Sequence, residues 1–196
     1  MVAGVVAARP ARPRQTAGMS AIIPPTLTDG PVVVRPMREA DIPAVVAACR
    51  DPEISRWTRV PSPYTREDAE RFLAISATEA RAGQGVALTV ADDADRFAGT
   101  IGIMELDGRG YGEIGYWIAA ESRGRGVASR AVVLLRDWAH ATLGLTTIEI
   151  LPHRDNVPSQ RVAERAGFTD TGEIRSIPRM PPGRRSGYRV YVWTRG

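Results

Sequence analysis

Residues 112–144 read GEIGYWIAAESRGRGVASRAVVLLRDWAHATLG, and the succession of signals within them sets the architecture. Tyr111–Ile118 is a strand candidate. A glycine- and arginine-rich turn, Glu121–Gly126, follows it, and then a helix from about Gly126 to Leu143. Val127, Ala131, Leu134, Leu135, Trp138 and Thr142 recur on one helical face, and Gly144 follows as a C-terminal cap. In that setting the glycines of Ser122-Arg123-Gly124-Arg125-Gly126-Val127-Ala128 acquire chemical meaning. Gly124 and Gly126 let the backbone approach a ligand closely and adopt positive φ. The N–H groups of the first helical turn lack intrahelical partners, and the helix dipole favours an anion beside them. Arg123 and Arg125 add mobile positive charge. The loop suits a diphosphate, although an ordinary glycine-rich turn with solvated arginines would read the same way. No Gly-Lys-Ser/Thr of a P-loop and no GxGxxG dinucleotide fingerprint occurs.

Upstream, Val32–Val34 is a short β-branched run, and Ala40–Cys49 reads as a helix with Pro43 in its first turn. Thr65 with Asp68 resembles a capping box, opening a helix that stops at Gly83. Val86–Val90 and Phe97–Met104 precede Tyr111–Ile118 as strands. The turn residues Asp92, Asp93, Asp95, Asp107, Gly108 and Gly110 between them make an antiparallel meander. Downstream come a strand at Thr147–Leu151, a helix over about Pro158–Ala166 ending at Gly167, and strands at Phe168–Glu173 and Tyr188–Trp193. The order predicts a mixed α/β (α+β) domain over residues 29–196, with one mostly antiparallel central sheet flanked by helices. Residues 1–28, rich in Ala, Pro and Arg, read as a disordered tail, with Met19 as an alternative start.

Composition excludes several classes. The chain has 196 residues, 43% hydrophobic and 24% charged, and no run of about 18 apolar residues that would span a membrane. Its one cysteine, Cys49, cannot form an internal disulfide and is expected to pack as a small apolar residue; no CxxC or His/Cys cluster suggests a metal. The weak apolar run Val2–Ala8 precedes the first arginines, the reverse of a signal peptide, so the expected location is cytoplasmic. The net charge of +4 is concentrated at the two ends. Three arginines and no acid lie in residues 1–28, and six arginines and no acid lie from Arg175 onward. The body is mildly acidic, which argues against a broad nucleic-acid-binding face.

GEIGYWI, SRGRGVA and NVPSQRVAERAGF (residues 156–168), taken in order, resemble the GNAT superfamily of acyl-CoA N-acyltransferases. Within it they resemble the ribosomal-protein N-terminal acetyltransferases (RimJ/RimL type). Arg123, Gly126 and Ala128 fall on the family's Arg/Gln-x-x-Gly-x-Gly/Ala loop, and Asn156, Ser159 and Gly167-Phe168 fall on its second block. The resemblance spans roughly Pro31 to Thr194. It implies a V-shaped splay between the strands Gly112–Ile118 and Thr147–Leu151. The pantetheine of acetyl-CoA, or of another acyl-CoA, would lie in that gap against the first strand's backbone as far as Ile118. The pyrophosphate would meet the N–H groups of Arg123, Gly124, Arg125, Gly126, Val127 and Ala128.

Acyl transfer to an amine needs a neutral nucleophile, an oriented thioester and a proton for the departing thiolate. The resemblance makes Ser159 the partner of the thiolate. Many superfamily members carry a tyrosine seven residues after the asparagine, where this chain has Ala163. Asn156 would position CoA or substrate through its amide; both residues could equally cap the helix at Pro158. Glu113 is the candidate base, grouped by strand alternation with Gly115 and Trp117 and opposite Ile114, Tyr116 and Ile118. Glu105, Glu173 or a water chain are alternatives. Trp57 and Tyr64 border the acceptor in such a fold and Tyr116 would line the thioester slot, with core packing as the plain alternative for all three. His153 reads as incidental and His140 as a surface residue.

The segment Ile174–Tyr188 carries Arg175, Arg179, Arg184 and Arg185 and no acid. Such a segment favours an acidic acceptor, a protein N-terminus or a carboxylate-bearing amine, or else a succinyl donor. The ribosomal branch has acids after its Gly-Phe and before its last strand, where this chain has Thr171 and Ser186-Gly187. The expected activity is transfer of an acetyl (or succinyl) group to a primary amine by direct attack in a ternary complex, by a monomer or homodimer. Two alternatives stand beside it: a CoA-binding regulatory module without turnover, and a ribosome- or RNA-associated protein using its basic ends.

Overall fold

The computed structural model describes residues 20–177, 180, 183 and 185–195, together with the backbone of residues 2–3. The strands are β1 (Val2–Ala3), β2 (Leu27–Asp29), β3 (Val32–Pro36), β4 (Val86–Asp92), β5 (Phe97–Met104), β6 (Tyr111–Ile118), β7 (Thr147–Ile150), β8 (Thr169–Arg175) and β9 (Tyr188–Thr194). The helices are α1 (Ile42–Ala48), α2 (Pro52–Trp57), α3 (Arg66–Arg81), α4 (Val127–Leu143) and α5 (Val157–Arg165). The sheet runs β2-β3-β4-β5-β6-β7-β9-β8, and β1 pairs separately with β6. Every adjacent pair is antiparallel except β6 and β7.

Local chemistry explains the meander. Asp92 Oδ1 accepts from the N–H groups of Ala94 and Arg96, closing the β4–β5 turn. Asp107 Oδ1 does the same for Arg109 and Tyr111 in the β5–β6 turn. At α3, Thr65 Oγ1 accepts from Asp68 N while Asp68 accepts from Thr65 N, the capping box expected there. The six-residue helix α2 was not foreseen; Asp51 caps it and Pro52 opens it.

Alternation along the strands divides the sheet into two faces. Leu88, Ile101, Ile103, Ile114, Tyr116, Ile118, Ile148 and Ile150 pack with Ala131, Val132 and Leu135 of α4 and Val162 and Ala163 of α5. On the opposite face Trp117 clusters with Ile42 and Val45 of α1, Cys49 just after it and Ile54 of α2. That face also holds a buried polar knot. Arg35 donates to both carboxylate oxygens of Asp41, at 2.8 and 2.9 Å, and Thr89 Oγ1 donates to the same carboxylate. Burial pushes the Cys49 thiol up to about 12, in keeping with an apolar packing role.

The folded body begins before residue 29. Leu27–Asp29 forms β2, and Ile22 is buried with its N–H donating to Ala80 O at 2.8 Å. The tail reading for residues 1 and 4–19 lies outside the described residues.

Candidate active site

Pairing between β6 and β7 is short. It covers Tyr111↔Thr147, Gly112↔Ile148 and Glu113↔Glu149, and then the strands part. Ile114–Ile118 therefore presents a backbone edge toward β7 that β7 does not use. The two-residue strand β1 pairs with part of that edge, at Tyr116 and Trp117. The V-shaped gap is thus a feature of the observed register.

One arm of the V leads to α4. The N-cap of this helix is Gly126, in the left-handed conformation at φ 77° and without any side-chain cap. By contrast α2, α3 and α5 carry Asp51, Thr65 and Asn156 as caps. The first-turn N–H groups of α4, like those of α1, have no side-chain cap, and their partial positive charge suits an anion. A narrow cleft there is lined by six of the residues expected to bind the cofactor: Ile118, Arg123, Gly124, Gly126, Val127 and Ala128. Ser129 and Arg165 complete it, and no sequence signal had singled them out. Arg125 is exposed and outside the lining.

The expectation of mobile charge fails for Arg123. Its Nε donates to Ile118 O at 2.9 Å, and its Nη2 lies 2.6 Å from Asp51 Oδ2. Because Asp51 caps α2, Arg123 ties the loop to that helix and holds the end of β6.

At the other side of the gap, Asn156 and Ser159 are buried on α5. Asn156 Oδ1 accepts from Ser159 N at 3.2 Å, so the capping role is real. Ser159 Oγ lies 2.9 Å from Tyr116 Oη. Tyr116 is buried in the core against Ser159, and burial raises its phenol well above the ordinary tyrosine range. Tyr64 likewise packs on the α1–α2 cluster, where burial raises its pKa. Trp57 lies tilted against His153 with ring centroids 5.6 Å apart, and His153 meets Tyr188 edge-on at 5.4 Å. His153 is therefore part of an aromatic cluster beside α2. His140 sits against Trp193, its Nδ1 2.8 Å from Leu145 O.

Glu113 occupies the apex of the V, the last β6 residue paired with β7, and is 3% exposed. Burial, reinforced by the carboxylates of Glu105 and Glu149, pushes its pKa up to about 8, while Arg175 and Arg59 pull the other way. Glu149 stays clamped: Tyr111 Oη donates to it at 2.7 Å and Arg175 Nη1 at 2.6 Å. Arg175 also bonds Glu173, so it is committed to two carboxylates and is not free to attract an acidic acceptor. Arg185 donates to Met180 O. Arg179 and Arg184 lie outside the described residues. A carboxyl raised to about 8 is ionised, and so able to take a proton from an ammonium, at alkaline pH.

A stability consequence follows. The folded chain keeps a proton on Glu113 that the unfolded chain releases near the ordinary carboxylate pKa, so folding loses stability as pH rises from that value to about 8. The Tm of the wild type is expected to fall by several degrees more over this window than that of Glu113→Gln, measured by scanning calorimetry; parallel curves would contradict the assignment.

Among the described residues, no group of three or more His, Cys, Asp and Glu side chains could hold a metal, and no helix is long and apolar enough to cross a membrane. Residues 32–169 match the model of the acetyltransferase (GNAT) domain. Over 153 residues the chain is 27% identical to the uncharacterized N-acetyltransferase p20 of Bacillus licheniformis, covering 76% of this chain and 85% of that protein. The acetyltransferase from Agrobacterium tumefaciens str. C58 superposes with a TM-score of 0.68 at 29% identity, over 87% of this chain and 95% of that one. RimJ of Mycobacterium smegmatis, solved in complex with CoA-disulfide, gives a TM-score of 0.72 at 20% identity, over 87% and 86%. With a splayed β6–β7 pair, an uncapped helix beside it and a family model covering most of its length, the chain belongs to the GNAT family of acetyltransferases.

Proposed function

We propose that this protein moves an acetyl group from acetyl-CoA to a primary amine by direct attack within a ternary complex. The observation that carries the reading is the early end of β6–β7 pairing. It leaves a strand edge that runs from Ile114 to Ile118 and finishes beside the uncapped N-terminus of α4. A pantetheine arm bonded along that edge as a pseudo-strand would place its pyrophosphate on the N–H groups of α4. The thioester would come between Ser159 on one side of the sheet and Glu113 on the other.

In this reading Glu113 accepts the ammonium proton, directly or through water, and the neutral amine attacks the thioester carbonyl. A C–N bond forms, the C–S bond breaks, the attacking nitrogen gives up its second proton to the departing sulfur, directly or through water, and the thiolate leaves toward the Ser159 hydroxyl, whose hydrogen bond stabilises the developing charge. Asn156 fixes the first turn of α5 and with it Ser159. Trp57, beside His153 and Tyr188, borders the acceptor. A protein N-terminus or a small amine fits this scheme. Carboxylates of Glu105, Glu113, Glu149 and Glu173 stand at this end of the sheet, and Arg175 is already paired with Glu149 and Glu173, so an acidic acceptor has less support than the charge of the segment 174–188 suggested.

The test is thiol release from acetyl-CoA and succinyl-CoA with a panel of amines: neutral and acidic N-terminal peptides, amino acids, polyamines and aminoglycosides. Turnover with at least one amine, lost in Glu113→Gln, is the expected outcome. Tight CoA binding with no thiol release across the panel would favour a non-catalytic CoA-binding module.

A further inference from the structure

The position where many family members carry a tyrosine is Ala163 here, and its side chain is fully buried. A phenol nevertheless reaches the site from a different element. Tyr116, on β6, comes from the sheet to meet Ser159, on α5, with the two hydroxyl oxygens 2.9 Å apart. Both residues are buried, at 1% and 0% exposure, so no bulk water competes for the contact.

The direction of this hydrogen bond decides what Ser159 can do. A serine hydroxyl has a single hydrogen and two lone pairs. If Ser159 spent its hydrogen on Tyr116, it would present only lone pairs to a departing thiolate, and the encounter would be repulsive. A phenol is a far better donor than an alkyl alcohol, and burial keeps the Tyr116 proton in place. With Tyr116 as the donor and Ser159 as the acceptor, the Ser159 hydrogen is left for a third atom. Asn156 supports the same arrangement from behind, because its carbonyl takes the Ser159 N–H and holds the serine at the start of α5.

We infer that Tyr116 is a positioning residue for acyl transfer, donating to Ser159 Oγ so that the serine hydrogen is aimed at the sulfur of the leaving CoA thiolate. The inference rests on the reading of Ser159 given above. No covalent step is added: Tyr116 keeps its proton throughout, and its effect is to fix one rotamer of one hydroxyl before the C–S bond breaks.

The experiment is a double-mutant cycle on kcat, with Tyr116→Phe, Ser159→Ala and the double variant, accompanied by CoA affinity and Tm for each. Tyr116→Phe removes one oxygen and keeps the ring that packs in the core. It is expected to lower kcat about tenfold, the worth of one neutral hydrogen bond, with CoA affinity and KM for the amine little changed. Once Ser159 is alanine, removing the Tyr116 hydroxyl is expected to cost nothing further, because there is no longer a serine hydrogen to aim. A Tyr116→Phe enzyme at full kcat overturns the proposal. So do additive losses in the double variant, which would mark Tyr116 as a packing residue alone. Full activity in Ser159→Ala instead removes the underlying assignment of Ser159, an outcome the cycle separates from the other two.

Discussion

Gly126→Val is expected to weaken CoA binding by at least about 150-fold, through loss of two hydrogen bonds to a charged phosphate, each worth roughly 1.5–3 kcal/mol. The reason is conformational and not steric. A Cβ at position 126 would meet no atom within 4 Å, but the backbone there has φ +77°, which a β-branched residue strongly resists. Valine would pull φ to negative values and rotate the Val127 and Ala128 N–H groups away from the cleft that they now line. With the pyrophosphate on backbone groups, as proposed, Arg125→Ala should cost far less: an exposed charge is worth about 0–1 kcal/mol. Titration calorimetry of both variants with CoA checks the contrast, with far-ultraviolet circular dichroism to confirm that α4 is retained. Equal affinities for Gly126→Val and the wild type would remove the helix N-terminus from the account.

Ser159→Ala is expected to lower kcat by about 100-fold, the usual cost of deleting one preorganised donor to a developing anion. CoA affinity should change only a few-fold. The loss should fall on kcat because the serine hydrogen meets full negative charge only as the thiolate departs. The backbone N–H of residue 159 still bonds Asn156 Oδ1, so the cap of α5 is kept, and the Tm of the variant reports the cost of leaving the buried Tyr116 hydroxyl without its partner. Single-turnover acetyl transfer with a saturating amine measures the effect directly. An alanine variant at the wild-type rate would assign thiolate stabilisation elsewhere.

How much of this was legible beforehand depended on the range of the interactions involved. The loop 122–128 and helix α4 could be read because glycine backbone freedom, apolar periodicity and the cap at Gly144 are all local. The β4–β5–β6 meander could be read for the same reason, since Asp92 and Asp107 close their turns on residues two and four positions on. Helix α2 escaped notice although Asp51-Pro52 is a sound start signal, because six residues with one buried side chain, Ile54, carry almost no period. The chemistry at the apex was hidden by distance along the chain. Glu149 becomes important through Tyr111, 38 residues away, and Arg175, 26 away. Tyr116 meets Ser159 across 43 residues. Strand alternation placed Tyr116 opposite Glu113 but could not say which helix it faced, and a tyrosine directed into the core looks the same in sequence as one lining a slot. Arg123 shows the converse error: an arginine in a glycine-rich loop looked mobile, and its tether, Asp51, lies at the head of the helix that went unread.

The central claim is that acetyl-CoA occupies the gap between β6 and β7. A crystal structure of the acetyl-CoA complex tests it most directly. The account expects the pantetheine chain hydrogen-bonded along Ile114–Ile118 in place of the β1 pairing, the pyrophosphate on the N–H groups of Gly126–Ala128, and the thioester sulfur within hydrogen-bonding distance of Ser159 Oγ. A cofactor bound elsewhere, or bound in the gap with its sulfur remote from Ser159 and Glu113 alike, would contradict it.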